Sequence, residues 1–236
     1  MFRASPLRLS KWNFKLLPAS REALRESPTP VVFFNGIFFP SEAFSRGSSG
    51  GIAGHLSRSG YNVGFVDLSS ENIPSSISLD DLINDLHTTF ITKLPAPPVA
   101  IAAHHNAVFM QKYLESWPVM ALLMLNPLSP KRPRYKSTEK PFSNNMREMD
   151  NVQAVLQLLA NEPVNLEPSP VPTRAIFSLL ENNLIHSADA EDTREIHRLE
   201  PDDFIETECR DSSFNLIDSP LNTHIEEQIN EFVKRY

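Results

Sequence analysis

Apolar residues recur along the chain in short continuous runs, separated by segments with a helical period. Residues 31–34, 99–102 and 121–125 are such runs. Short, wholly apolar runs are typical of strands buried on both faces of a sheet. Between the last two runs, residues 107–116 are long enough for a crossover helix. Two buried strands joined by a helix form a parallel βαβ unit, so the pattern predicts an α/β protein.

Further segments continue this alternation of strands and helices. Residues 11–16 alternate in polarity like a strand, and residues 79–90 carry their apolar side chains on one helical face, which Ser78 caps. Gly60 is placed to end an earlier helix in the left-handed conformation. The remaining predicted strands are 61–68, 173–180 and 203–209, and the remaining predicted helices are 52–59, 146–159, 187–199 and 220–236.

Composition restricts the class of protein. The chain has 236 residues, of which 41% are hydrophobic, and this favours one α/β domain with a single sizeable core. A formal net charge of −7 argues against a nucleic-acid binder, because phosphate contacts need clustered Lys and Arg. Cys209 is the single cysteine, which excludes an internal disulfide and a cysteine-rich zinc site. No apolar run approaches the ~20 residues of a transmembrane helix.

The N-terminal segment differs from the rest of the chain in charge. Residues 1–21 contain five bases and no acid: Arg3, Arg8, Lys11, Lys15 and Arg21. This composition, with interspersed serines, is typical of a mitochondrial transit peptide, and a solvated basic arm is the alternative. We therefore divide the chain into a basic segment, residues 1–25, and a globular domain, residues 26–236. We expect a mitochondrial matrix location, with the cytoplasm as the alternative, and cleavage ahead of Trp12.

Two other charged segments are candidate partner surfaces. A proline-containing loop carries a dense basic run, namely Lys131, Arg132, Arg134, Lys136 and Lys140. The stretch from Asp189 to Glu208 has nine acids against Arg194 and Arg198. Each is most simply a solvated surface, and each could also bind a protein of opposite charge.

The order of these elements resembles the α/β-hydrolase fold, from its third strand to its last helix. VVFFNG, residues 31–36, is similar to the strand and oxyanion loop of that family, with Asn35-Gly36 in place of its usual His-Gly. Residues 50–70, with their Gly-Tyr-x-Val pattern, and residues 78–90 are similar to the elements that precede the nucleophile strand. The resemblance implies a three-layer sandwich, mostly parallel in its central sheet, with helices on both faces and residues 129–172 as a short lid or insert.

The residues that carry chemistry in that family are replaced here. Its nucleophile elbow, Gly-x-Ser-x-Gly, matches Ala103-His104-His105-Asn106-Ala107, so the resemblance puts His105 at the serine position. Small residues at both flanks let the turn close, and histidine tolerates positive φ. A histidine there does not form an acyl-enzyme as an activated serine does.

The other two triad positions follow from the same resemblance. The family's acid, after its seventh strand, matches Asn182, and an amide does not stabilise an imidazolium as a carboxylate does. The family's histidine, counted back from Asp218-Ser219-Pro220, matches Ser213. The resemblance therefore implies a degenerate triad, His105, Asn182 and Ser213, and no catalytic residue.

The remaining histidines do not define a metal site. His104 and His105 point in different directions at a turn, and His186 is the only plausible third imidazole, so we expect no metal and no cofactor. His55, His87, His197 and His224 fall on predicted helix faces and are interpreted as structural or solvated. A vestigial pocket would be lined by Asn35, Gly36, His104, His105, Asn106 and His186.

Three functional hypotheses remain open. The first is a catalytically inactive hydrolase-like protein that acts as a structural, accessory or assembly subunit of a mitochondrial complex. The second is an atypical esterase, thioesterase or amidase that uses His105 or one of the serines Ser41, Ser48 and Ser213. The third is a receptor that holds an acyl or isoprenoid-like ligand without turning it over.

Overall fold

The computed structural model of the protein describes residues 12–36, 51–68, 78–103, 105–127, 171–179, 191–195, 197–208 and 223–236. Strands and helices alternate along this part of the chain. Its strands are β1 (Trp12–Leu17), β2 (Val31–Gly36), β3 (Val63–Leu68), β4 (Val99–Ala103), β5 (Ala121–Leu125), β6 (Thr173–Leu179) and β7 (Phe204–Glu208). Its helices are α1 (Gly51–Arg58), α2 (Leu79–Lys93), α3 (His105–Leu114) and α4 (Thr223–Lys234). A short helical segment covers residues 191–195, and a 3₁₀ turn covers Pro201–Asp203.

The described strands form one seven-stranded sheet in the order β1-β3-β2-β4-β5-β6-β7. The pairs from β3 to β7 are parallel, and only β1 runs antiparallel to its neighbour, β3. Strands β4 and β5 are buried along their whole length. The predicted α/β class and the mostly parallel central sheet are therefore confirmed.

Apolar side chains pack on both faces of the sheet, because successive side chains of a strand point in opposite directions. On one face, α2 and α3 cover side chains such as Val32, Phe34 and Ala100. On the other face, α1 and α4 cover Val31, Phe33 and Ile101. The molecule is thus a three-layer sandwich in which two cores flank the sheet.

The ends of the first two helices follow the predicted signals. Ser78 caps α2, since its hydroxyl oxygen accepts a hydrogen bond from the backbone N–H of Asp81 at 3.1 Å. Gly60 ends α1 with φ at +99°, and the N–H groups of Gly60 and Tyr61 donate to the carbonyls of Ser57 and Leu56. This pair of bonds is a Schellman motif, which favours glycine at the left-handed position.

Edge strand β1 lies within the basic segment assigned to residues 1–25, so part of that segment belongs to the sheet. Trp12 is buried, and its indole N–H donates to the carbonyl of Leu82 in α2 at 2.9 Å. The Trp12 ring also packs against Phe34 and Phe109. Any processing ahead of Trp12 would leave β1 in the chain.

A buried arginine in β6, near the sheet edge opposite β1, links the sheet to the last helix. Arg174 in β6 is 1% exposed, and its guanidinium donates to Asp203 Oδ1 at 3.3 Å and lies over the Phe232 ring. Arg235 approaches the same Asp203 oxygen at 3.7 Å. These contacts tie β6, the 3₁₀ turn and α4 together at the amino end of β6.

Several predicted segments differ from the structure or lie outside it. Helix α3 begins at His105 and ends at Leu114, two residues earlier at each end than predicted, and α2 continues to Lys93. Within the helix predicted over 187–199, residues 191–195 are helical. The helix predicted over 146–159 and most of the lid or insert, 129–172, lie outside the described residues.

Candidate functional site

The chain changes direction across the sheet between β2 and β4. From β2 it passes through α1 to β3 on one side, and from β3 it passes through α2 to β4 on the opposite side of β2. In open parallel sheets, ligands bind outside the carboxyl ends of the strands at such a switch point. The carboxyl ends of β2 and β4 are therefore the place where a functional site is expected.

The sharp turn predicted after β4 falls on one residue between a strand and a helix. Strand β4 ends at Ala103 and α3 begins at His105, so His104 alone connects them. Ala103 and Ala107 are both buried, and their small side chains allow the helix to start close to the sheet. A strand and a helix separated by one residue follow the order of elements in a nucleophile elbow. His104 and the side chain of His105 lie outside the described residues.

Helix α3 directs its amino end toward this edge. The first turn of α3 carries no acidic residue, and helix amino ends present free backbone N–H groups and a partial positive charge. Asn106, in the same turn, is 1% exposed, so its side chain is packed into the protein rather than presented to solvent. This arrangement can stabilise an anion or a polarised carbonyl, but residues 103–107 include no hydroxyl, thiol or carboxylate that could attack it.

The end of β2 contains a β-bulge at Asn35. Phe34 pairs with Val66 and Gly36 pairs with Asp67, which leaves Asn35 as an extra residue against β3. Phe34 also pairs with Ala102 of β4, so the bulge lies beside the end of β4. Bulges re-aim side chains and are common next to active sites. Only the backbones of Asn35 and Gly36 are described.

Asn126, at the carboxyl end of β5, was not predicted as part of the site. Its φ is +43°, its side chain is buried, and its backbone N–H donates to the carbonyl of Ile176 in β6 at 2.8 Å. Asparagine visits the left-handed region more readily than most residues. The Asn-Pro step at 126–127 could have indicated that β5 ends there in an unusual backbone conformation, since Pro127 has no N–H to donate to the hydrogen bonds between strands.

The other predicted site residues fall beyond the described part of the chain. Strand β6 ends at Leu179, three residues before Asn182, and its carboxyl end lies on the same edge as that of β4. Asn182, His186 and Ser213 lie outside the described residues, as do Ser41 and Ser48. The structure therefore brings together Asn35, Gly36, His105 and Asn106 at the level of the backbone.

Two histidines take up structural roles against α3. His87 of α2 stacks on Trp117 at 3.8 Å, and its Nδ1 lies 3.1 Å from the Tyr113 hydroxyl. His197 is buried, with its Nε2 3.0 Å from Gln111 Oε1. Burial lowers the pKa of His87, and it lowers the pKa of His197 to about 4. Both imidazoles are consequently neutral near pH 7.

In the described ranges, no group of three or more His, Cys, Asp and Glu side chains is placed to hold a metal ion. No helix in those ranges is long and apolar enough to span a bilayer.

Comparison with known proteins identifies the fold. No protein-family model matches the sequence, and no curated protein matches it. Solved structures do match. An α/β hydrolase from the sediment metagenome of the Mar Chica lagoon in Morocco superposes with a TM-score of 0.67 at 14% identity, over 95% of each chain.

Other matching structures have the same architecture. A carboxylesterase structure from the thaumarchaeon Nitrososphaera gargenis gives a TM-score of 0.63 at 13% identity, over 100% of this chain and 99% of the other. An enzyme that cleaves the ring of the Pseudomonas quinolone signal gives 0.64 at 12% identity, over 95% and 96% of the two chains. The protein therefore has the α/β-hydrolase fold, as its resemblance to that family implied. Similarity at this level of identity extends to the fold alone.

Proposed function

We propose that this protein is a catalytically inactive member of the α/β-hydrolase fold that serves as a structural, accessory or assembly subunit of a mitochondrial complex. One observation carries the proposal. One residue separates β4 from α3, as in a nucleophile elbow, while residues 103–107 are Ala-His-His-Asn-Ala. A shift of the alignment by one or two residues brings no serine, cysteine or aspartate to the turn.

Loss of the nucleophile removes most of the rate enhancement that a triad supplies. In a serine protease with an intact fold, removal of the nucleophile lowers kcat by roughly 10⁶-fold, and the remaining catalysis comes from binding and the oxyanion hole. The matches of Asn182 and Ser213 to the acid and the histidine add to this argument. A protein with all three replacements is better explained by interaction than by turnover.

The mitochondrial part of the proposal rests on the first eleven residues. They contain Arg3, Arg8 and Lys11 and no acid, and they precede the first strand, which begins at the buried Trp12. Cleavage in this range would spare the contacts of Trp12 with α2. N-terminal sequencing of the protein from its natural host is expected to give a start between residues 2 and 12. An intact Met1 on the mature protein would contradict import by a cleaved presequence.

The acidic stretch from Asp189 to Glu208 is the partner surface with the most described residues. Glu191, Glu195, Glu200, Asp202 and Glu206 are exposed along it. Asp203 is already engaged by Arg174 and Arg235, so it contributes less to binding than the others. A partner with a basic surface would fit this stretch, and a partner with an acidic surface would fit the loop from Lys131 to Lys140.

A pull-down from isolated mitochondria tests the proposed role. We expect the tagged protein to co-purify with a stable complex, and we expect Glu195→Lys with Glu206→Lys to reduce recovery in a salt-dependent manner. Glu22→Lys with Glu26→Lys, on the exposed loop after β1, is the matched control with the same charge change. Equal loss with both double variants would mean that net charge, rather than this surface, governs binding. Recovery of the protein alone would contradict the subunit role.

A panel of short esters and thioesters tests the opposing possibility, an atypical hydrolase. We expect no turnover above that of a heat-denatured sample. If turnover is found, His105→Ala, Ser41→Ala, Ser48→Ala and Ser213→Ala identify the group responsible. Turnover that one of these substitutions abolishes would establish an enzyme. A ligand that co-purifies and persists in native mass spectrometry, without turnover, would instead support the receptor hypothesis.

A further inference from the structure

The loop between β1 and β2, residues 18–30, carries the most exposed of the large apolar side chains in the described part of the chain. This side chain is Leu24, which is fully exposed to solvent, whereas Ile91 and Met120 elsewhere on the surface are partly covered. A single exposed apolar side chain is common on protein surfaces and does not by itself mark a binding site. The neighbours of Leu24 therefore decide whether this loop has a partner.

Hydrogen bonds hold both ends of this loop against the end of α1 and the residues that follow it. Near the start of the loop, the N–H of Ser20 donates to the carbonyl of Ser57 at 2.9 Å. Near its end, the N–H of Ser27 donates to the carbonyl of Gly60 at 2.8 Å. Between these anchors, the N–H of Ala23 donates back to the carbonyl of Ser20 at 3.1 Å and closes a turn. The loop is thus restrained before any binding, which lowers the entropy cost of binding through it.

The tip of the loop, residues 21–26, carries two bases and two acids in a self-complementary order. Its sequence is Arg-Glu-Ala-Leu-Arg-Glu. If a second copy of the tip is laid antiparallel to the first, about a twofold axis between Ala23 and Leu24, each arginine faces a glutamate of the other copy. The four charged side chains are exposed, and none of them makes an ion pair with another described residue: Arg21, Glu22, Arg25 and Glu26.

This order of charges favours a second copy of the chain over other partners. A twofold interface is formed by the same surface on both copies, so its charges have to complement themselves. The tip meets this condition, and it also places Leu24 of each copy against the small Ala23 of the other. An anionic lipid surface, or a protein surface of one sign, would attract two of the four charged side chains and repel the other two.

We propose that two copies of this chain associate through residues 21–26 about a twofold axis. This inference goes beyond the proposed function and does not depend on it. The contact is small, since a standard interface takes about 20–30 residues from each side. We therefore expect a weak, reversible dimer with a dissociation constant on the order of 10–100 μM.

Sedimentation equilibrium of the purified full chain, from about 1 to 300 μM, tests the association. We expect monomer at the low end of this range and mostly dimer at the high end. Leu24→Asp should raise the dissociation constant at least about tenfold, because it removes the apolar contact. Ile91→Asp, on an exposed part of α2, is the matched control and should leave the dissociation constant unchanged. A wild type that stays monomeric throughout would overturn the proposal.

Charge variants of the tip test the pairing itself. Glu22→Lys with Glu26→Lys makes the tip wholly basic, and Arg21→Glu with Arg25→Glu makes it wholly acidic. Each variant alone should be monomeric, because like charges would then face each other across the twofold axis. An equimolar mixture of the two variants should form a heterodimer, because every facing pair is again of opposite sign. High salt should weaken this heterodimer.

Three further results would overturn the contact through the tip. These are a homodimer of either charge variant, charge variants that stay monomeric when mixed, and a wild-type dimer that Leu24→Asp and Ile91→Asp weaken equally. Thermal melting curves like that of the wild type show that the variants are folded.

The pull-down separates this dimer from the proposed function. The wholly basic variant should lose the dimer and still be recovered with the complex. Loss of its recovery together with a monomeric wild type would assign the loop to a protein partner and would overturn the dimer.

Discussion

At the scale of single residues, the protein depends on a few side chains whose partners lie far away in the sequence. His197 illustrates this dependence, because its Nε2 lies 3.0 Å from Oε1 of the buried Gln111, 86 positions away in the chain. Gly60 is a second case, since its φ of +99° suits no other residue type well. His197 contacts Gln111 of α3, and Gly60, at the end of α1, lies against the backbone of Arg25. Substitution of either residue is therefore expected to change the free energy of unfolding.

The first expectation concerns acid stability and His197. Burial lowers its pKa from 6.5 to about 4, so the unfolded state binds a proton in a range where the folded state does not. Stability contributed by the neutral form is therefore complete above pH 6.5 and is lost as the pH falls toward 4. The loss between pH 7 and pH 4.5 amounts to about 2.5 kcal/mol for this residue. His87, whose pKa is also lowered by burial, acts in the same direction.

Urea denaturation at pH 7 and at pH 4.5 measures this loss. His197→Gln cannot titrate, so we expect its free energy of unfolding to fall less over the same range than that of the wild type. His224→Gln is the control, because His224 lies on an exposed face of α4. Equal pH dependence in the wild type and the His197 variant would contradict a neutral, buried His197.

The second expectation concerns Gly60. A Cβ at this position would lie 2.0 Å from the carbonyl oxygen of Arg25, which is backbone and cannot rotate away. Gly60→Ala should therefore lower the free energy of unfolding by at least about 2 kcal/mol, from left-handed strain plus the clash. Gly54→Ala, inside α1, should raise it by about 0.5–1 kcal/mol. Thermal or chemical denaturation would show whether the two substitutions change the free energy of unfolding in these opposite directions.

At the scale of elements, β1 belongs to the folded domain despite its basic surroundings. It pairs with β3 along its full length, and Trp12 reaches into the core between the sheet and α2. The alternating polarity of residues 11–16 predicted this strand. The structure agrees with the alternation, since polar Asn13 and Lys15 are exposed while Trp12 is buried. The same charge pattern that suggests a presequence thus continues into a structural element.

Neighbouring substitutions in β1 test this role. Trp12→Ala removes a buried indole and its hydrogen bond, so we expect a loss of about 3–5 kcal/mol. Asn13→Ala changes the adjacent exposed position and should stay within about 0.5 kcal/mol of the wild type. Equal effects in a denaturation experiment would mean that β1 does not stabilise the domain.

At the scale of the whole molecule, the sequence predicted the sheet better than it predicted the polar contacts within it. The apolar runs at 99–102 and 121–125 predicted two buried strands, which are present, but the connection between β4 and α3 is one residue rather than the four residues, 103–106, that the prediction left between strand and helix. Arg174 was not predicted as a buried residue, because its partners Asp203 and Gln228 come from elements formed later in the chain. The pairing of Gln111 with His197 and the left-handed Asn126 depend on tertiary packing in the same way.

The central proposal is that the connection between β4 and α3, which has no serine or cysteine in residues 103–107, supports no serine-hydrolase chemistry. Intact-protein mass spectrometry after treatment with a fluorophosphonate measures this directly, because the reagent bonds covalently to an activated serine. We expect the unmodified mass for the wild type, and the same result for His105→Ala. A stoichiometric adduct that disappears when one serine is changed to alanine would contradict the account.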